Sequence, residues 1–121
     1  MLADRGQVER RRCRLRAELR ALSEQPLMRG SVVERLRRCG RTNCACARDP
    51  RARHGGLFLT VHLQGATQAV HLRPDDEAAV RAAVAAYQRL WAVIDALTVC
   101  ELADLRRQVR ERRRARQRRR A

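Results

Sequence analysis

Four residues in the middle of the chain have side chains that commonly bind metals. Cys39, Cys44 and Cys46 follow the pattern C-x4-C-x-C, and His54 comes after seven further residues. Thiolates and imidazoles are the ligands that zinc prefers in closed tetrahedral sites. Because all four fall within one short segment, the spacing predicts a structural Zn²⁺ that holds this segment together.

The same residues admit other interpretations. A single residue between two cysteines is fewer than the two to four usual in zinc sites, so the pattern is less specific. An iron–sulfur cluster would use the same thiolates, and three unligated buried cysteines are a further alternative. Cys13, Cys100, His62 and His71 are alternative fourth ligands. The odd total of five cysteines argues against a disulfide framework.

The chain before the fourth ligand predicts two helices and a loop. Residues 4–23 carry a narrow apolar stripe at helical spacing. Leu27–Arg38 reads as a second, short helix, with Ser31 as its N-cap and Glu34 as the capping-box partner. Residues 39–56 have no periodicity and form an irregular loop, which needs a constraint such as a metal.

Two short strands are expected after the loop. Residues 57–63 and 68–72 alternate between apolar and polar side chains. Gly65 at the first central position of a type II′ turn would pair Leu63 with Gln68. One face of this hairpin is then apolar and the other is polar.

A long helix is predicted to follow the strands. Pro74 and three acidic residues form its start, and no Gly or Pro interrupts it before about residue 118. The predicted fold is α+β and mostly α. The N-terminal and long helices pair as a helical hairpin around the Cys-rich, zinc-knuckle-like loop and the two-stranded β-hairpin. We expect three parts: the helix of 1–26, a core of 27–105, and an Arg-rich tail of 106–121 that either continues the helix or is disordered.

The charge of the chain favours a polyanionic partner. The net charge is +15, every one of the 28 basic residues is Arg, and only the stretch 75–105 is acidic. Basic blocks of this kind are typical of nucleic-acid binding through phosphates, although a GC-rich genome also favours Arg over Lys. The candidate phosphate ligands are Arg35, Arg37, Arg38, Arg41, Arg48, Arg51, Arg53, Arg112, Arg113 and Arg114.

Several functional classes are disfavoured. Three aromatic residues are too few for base stacking to dominate, so contacts to the phosphate backbone are expected. No uninterrupted apolar run approaches the roughly 18 residues of a membrane span. The N-terminus leads into charged residues and not into a signal core, which predicts a cytoplasmic protein. We find no catalytic triad pattern and no Gly-rich phosphate loop, so no enzyme is predicted.

Three segments of the chain resemble a small uncharacterised Cys-rich domain of bacteria and archaea. They are Arg29-Gly30-Ser31, Cys39-Gly40-Arg41-Thr42-Asn43-Cys44-Ala45-Cys46 and His54-Gly55-Gly56-Leu57-Phe58. That domain shows P-G-S, then C-G-[KR]-x-x-C-x-C, then H-G-P, so Arg29 and Gly56 stand where it has Pro. The resemblance covers roughly residues 27–105 and implies a metal site. Its members often lie near transposase-like genes, which implies a role around mobile DNA.

Two functions follow from these patterns. The first is a small nucleic-acid-binding accessory protein with a structural zinc loop, associated with mobile DNA. The alternative is a protein-interaction module without a nucleic-acid role, in which the long amphipathic helix pairs with a partner helix or with a second copy of the chain.

Overall fold

Two helices and one three-stranded sheet make up the part of the chain that the computed structural model describes, residues 4–121. The α+β class is therefore confirmed. The elements are α1 (Arg5–Ser23), β1 (Ser31–Arg37), β2 (His54–Leu63), β3 (Ala66–Leu72) and α2 (Pro74–Arg120), with 3-10 turns at Ala45–Ala47 and Pro50–Ala52. Two compact units share this chain. The sheet unit is residues 26–88, and the helical unit combines the residues before 26 with 89–121.

The helical unit is joined by charged pairs as well as by apolar side chains. Arg12 lies in the apolar stripe of α1 and is only 5% exposed. Its Nε donates to Glu101 at 2.9 Å, and its Nη2 donates to Asp104. These hydrogen bonds, with that to Asp104 the strongest, raise the pKa of Arg12 and keep it charged. Because the guanidinium is paired, a charge can occupy a buried position of the stripe.

The sheet unit has its core between one face of the sheet and the start of α2. The strands are antiparallel in the order β1-β2-β3. Leu59, Val61 and Leu72 project from the sheet and form a buried cluster with Val84 of α2. Burial of these side chains stabilises the sheet unit. The opposite face, which we call the open face, carries the alternate side chains, among them Arg35, Arg37, Phe58, Thr60, His62 and His71.

The short helix predicted over Leu27–Arg38 is wrong, because its residues form strand β1. Val32 pairs with Leu59 and Val33 with Phe58 in the ladder between β1 and β2. Two adjacent β-branched residues suit this pleated environment better than a helix. The capping-box spacing is a local signal, and pairing with a distant strand overrides it. The predicted two-stranded hairpin is accordingly a three-stranded sheet.

The turn between β2 and β3 differs from the predicted type II′ turn. Gln64 and Gly65 both have positive φ, 53° and 76°, as the two central residues of a type I′ turn require. Leu63 therefore pairs with Ala66 instead of Gln68. The predicted register is wrong by two residues. Because side chains alternate with a period of two, this shift keeps each residue on its predicted face.

Helix α2 begins at Pro74, as predicted, with three acidic residues in its first turn. It extends to Arg120, slightly beyond the expected end. An 18-residue stretch of it has a mean hydropathy of 1.2 and is 28% buried, so by length and composition it could cross a membrane. No uninterrupted apolar run of that length is present, because charged residues interrupt the stretch. Core helices of water-soluble proteins give the same signal, and it is weak evidence for a span.

Candidate metal centre

The four predicted ligands lie together at one end of the sheet. The Sγ atoms of Cys39, Cys44 and Cys46 and a ring nitrogen of His54 all lie within 4.8 Å of one another. The Sγ atoms of Cys46 and Cys39 are 3.5 Å apart, and Cys44 Sγ is 3.4 Å from His54 Nε2. Cys46 is buried, Cys44 is half-buried, and Cys39 and His54 are exposed. The cluster therefore forms at the surface, around one buried thiol.

The ladder between β1 and β2 brings the two ends of the loop together. His54 is the first residue of β2 and pairs with Arg37, which lies two residues before Cys39. The loop between them turns back through two 3-10 turns. Cys44 is the N-cap of the first turn, and its carbonyl accepts from Ala47 N–H at 3.1 Å. Local turns thus position Cys44 and Cys46, and strand pairing positions Cys39 and His54.

The spacing of the ligand atoms fits a tetrahedral metal ion. With metal–sulfur bonds of about 2.3 Å and a metal–nitrogen bond of about 2.05 Å, a tetrahedron has S···S edges of roughly 3.8 Å and S···N edges of roughly 3.6 Å. The Cys46–Cys39 and Cys44–His54 distances of 3.5 and 3.4 Å are within a few tenths of an ångström of these edges. Three thiols and one imidazole also form a known zinc donor set.

The thiols of the cluster differ in acidity. The backbone N–H of Cys46 lowers the pKa of Cys44 to about 6, with further contributions from His54, Cys46 and Cys39 side chains. The pKa of Cys46 is raised: the Cys39 N–H bond opposes this, but burial and the neighbouring Cys44 and Cys39 thiols outweigh it. One thiolate is thus favoured at neutral pH, and a bound cation would stabilise the others.

The alternative ligands lie elsewhere among the described residues. Cys13 is exposed on α1, and Cys100 is buried on α2. The Nδ1 atom of His62 is hydrogen-bonded to Thr67 Oγ1 at 2.7 Å. The ring of His71 packs on Phe58 at a centroid distance of 5.1 Å. The candidate metal site therefore consists of the four residues first predicted.

The predicted phosphate ligands fall into three groups. Arg35 and Arg37 project from β1 on the open face, and Arg37 stacks over the Phe58 ring at 5.2 Å. Arg38, Arg41, Arg48 and Arg51 are exposed on the loop of residues 38–53, termed the metal loop, whereas Arg53 is half-buried with an Nε that has no hydrogen-bond partner. Arg112, Arg113 and Arg114 are exposed on α2. Within residues 4–121, no carboxylate forms an ion pair with any of these guanidinium groups.

The open face also carries polar residues that are not among the predicted phosphate ligands. Strand alternation places Thr60, His62 and His71 on it, the same face as Arg35 and Arg37. The expected polar face of the hairpin already held the histidines and Thr60. Only the addition of β1, which was predicted as a helix, brings arginines to the same surface.

Comparison with known families assigns the chain to one of them. Residues 6–82 match the family model described as a domain of unknown function, DUF6788, and the chain belongs to that family. The match starts within α1 and ends early in α2, so it contains the whole metal loop but is shifted from the 27–105 expected. An uncharacterised domain family is thereby confirmed, while its motif and its distribution remain predictions. No curated protein and no solved structure shows significant similarity to the chain.

Proposed function

We propose that this protein is a nucleic-acid-binding accessory protein whose Cys-rich loop is held by a structural Zn²⁺. The observation that carries the proposal is the set of arginines without ion-pair partners on the metal loop and on the open face. Their mutual repulsion at one end of the sheet is relieved when anions bind there. Phosphate groups are the anions that bidentate guanidinium groups recognise best.

The metal would have a structural role in this proposal. Cys46 is the one buried residue of the segment 38–53, so the loop has almost no apolar core. A Zn²⁺ bound by Cys39, Cys44, Cys46 and His54 would replace that core, as in other small zinc-stabilised domains. With four protein ligands the ion has no open position for substrate. The proposed site therefore supports folding and not catalysis.

The sheet separates the charges of the unit. Glu34, the acidic residue of β1, lies on the face of the buried cluster, while Arg35 and Arg37 lie on the open face. No strand residue on the open face is acidic. Polyanion binding there would therefore meet no repulsion from the strands themselves. The Phe58 ring is covered by Arg37 and His71, which favours contacts to phosphates over base stacking.

A salt titration tests this function in the full-length chain. If three loop arginines contact phosphates, Arg38→Gln, Arg41→Gln and Arg48→Gln together should reduce the slope of log K against log salt by about 2–3 on duplex DNA. A tail variant with Arg112, Arg113 and Arg114 changed to Gln removes the same charge from α2. We expect the tail variant to lose affinity uniformly across sequences.

The Arg81→Gln variant is the matched control, because Arg81 is paired with Glu77 at 2.9 Å. It should leave the salt slope unchanged. Equal slopes for wild type and both triple variants would contradict the proposal. The same titration on duplex DNA, single-stranded DNA and RNA identifies the preferred nucleic acid, and a preference for transposon-end sequences is expected if the protein acts on mobile DNA.

A second candidate function is helix-mediated association. Trp91, Val99, Leu102 and Leu105 of α2 are 41–56% exposed, which is unusual for large apolar side chains. In this alternative α1 and α2 form a helical hairpin that presents these residues to a partner helix or to a second copy. Sedimentation with and without nucleic acid separates the two functions, because a stable oligomer that is indifferent to nucleic acid supports only the second.

A further inference from the structure

A groove of about 680 Å³ runs beside β1 in the sheet unit. Its lining includes Arg29, Arg35, Thr60, His62 and Tyr87, and no acidic residue lines it. The volume falls within the range of ligand sites for molecules of nucleotide size. Two guanidinium groups and an imidazole around one concave surface indicate an anionic ligand.

The groove is built by a close approach of the chain to β2. At Gly30, a Cβ atom would lie 2.7 Å from Val61 Cγ1 and 2.8 Å from the Thr60 carbonyl oxygen. Only glycine leaves this space, so the backbone before β1 can lie directly against β2. Arg29 is thereby held next to the groove, where its Nη2 donates to the carbonyl of His62.

Most of the hydrogen-bonding capacity in the groove remains available. Arg29 has five N–H donors and uses one of them on His62. Thr67 is hydrogen-bonded to Nδ1 of His62, and when its hydroxyl donates, the proton of the ring lies on Nε2. Thr60 Oγ1 is buried and has no hydrogen-bond partner. A buried hydroxyl without a partner is unfavourable, and a ligand oxygen in the groove would supply one.

We propose that this groove binds the phosphate group of a nucleotide. The forked donors of Arg29 and Arg35 suit phosphate oxygens, and the Thr60 hydroxyl and His62 Nε2 add two further donors. Tyr87 gives the same groove an aromatic wall for the attached base or sugar. The nucleotide is either free or part of a strand, and binding to a strand rests on the proposed function. Free-nucleotide binding does not.

Calorimetry on the full-length chain tests the groove, with adenosine 5′-monophosphate, inorganic phosphate and adenosine as probes. The monophosphate should bind, and adenosine without phosphate should bind at least about tenfold more weakly. Arg29→Gln and Thr60→Val should each weaken the binding of the monophosphate by about tenfold. Arg29→Lys should bind the monophosphate more tightly than Arg29→Gln but more weakly than wild type. Lysine keeps the positive charge but lacks the two parallel N–H donors of a guanidinium group.

Arg73→Gln is the control variant, since Arg73 is exposed and does not line the groove. It should bind the monophosphate like wild type. Equal binding of adenosine and the monophosphate would overturn the proposal, as would a monophosphate affinity that Arg29→Gln leaves unchanged. If neither the monophosphate nor inorganic phosphate binds to the chain, the groove does not bind a free nucleotide and that form of the proposal is overturned.

A short oligonucleotide distinguishes the two sources of the phosphate. If the strand occupies the groove, the monophosphate competes with it and Arg29→Gln weakens both. If the oligonucleotide binds while the monophosphate neither binds nor competes, and Arg29→Gln has no effect, the groove proposal fails and the nucleic-acid function stands. If the monophosphate binds and no oligonucleotide does, the proposed function fails and the groove remains.

Discussion

Removal of the proposed Zn²⁺ is expected to loosen the Cys-rich loop and leave α1 unaffected. Apart from its candidate ligands, the loop is held mainly by short-range turn hydrogen bonds, such as Arg48 N–H to Ala45 O at 3.1 Å, and Cys46 is its one buried side chain. With the ion bound, the loop can open only by breaking metal–ligand bonds. Chelation with EDTA removes that cost, so the amides of the loop should exchange with solvent faster.

The size of the effect follows from binding linkage. A ligand present at 1,000 times its dissociation constant stabilises the bound form by about 4.1 kcal/mol. If the loop opens with loss of Zn²⁺ at that saturation, the opening equilibrium increases by up to about 1,000-fold on chelation. Amides that exchange through this opening should accelerate by the same factor. The ladder residues next to His54 should share part of the change.

Hydrogen exchange followed by mass spectrometry measures this difference. Peptides from residues 38–53 report the loop, and peptides from α1 provide an internal control in the same sample. Cys46→Ser should reproduce the effect of EDTA, whereas Cys13→Ser, which changes an exposed thiol on α1, should not. Equal uptake of deuterium by the loop with and without EDTA would refute the argument.

Three further predictions concern stability and pH. Leu59→Ala should destabilise the sheet unit by about 2–5 kcal/mol in urea unfolding, because it opens a cavity in the buried cluster. The nearby Val70→Ala, at a position that is 52% exposed, should change the free energy of unfolding by less than about 0.5 kcal/mol. The hydrogen bond from Arg12 lowers the pKa of Asp104, so this carboxylate stabilises the fold above its unfolded pKa of about 4 and loses that contribution as the pH falls further. The urea midpoint should therefore fall more steeply between pH 6 and 3 in wild type than in Asp104→Asn.

The candidate metal site was predictable because its information is local. The four ligands lie close together in the sequence, and their chemistry restricts the metals that they can bind. The starts of α1 and α2 were predictable for the same reason. Asp4 and Gln7 form a capping box, and the acids after Pro74 complement the helix dipole.

Strand β1 and its consequences could not be predicted from local patterns. The partner of Val32 is Leu59, which lies 27 positions later, and this distant pairing overrides the capping-box signal of Ser31 and Glu34. The register of the hairpin was missed because Gly65 suits both type I′ and type II′ turns, and the positive φ of Gln64 decides between them. The groove beside β1 depends on this strand, and therefore no sequence pattern indicated it.

Zinc-edge X-ray absorption of the purified full-length chain tests the central claim most directly. We predict one zinc per chain, bound by three sulfur atoms at about 2.3 Å and one nitrogen at about 2.0–2.1 Å. That shell corresponds to Cys39, Cys44, Cys46 and His54. A protein that contains no zinc, or a zinc with only oxygen and nitrogen neighbours, would contradict the account.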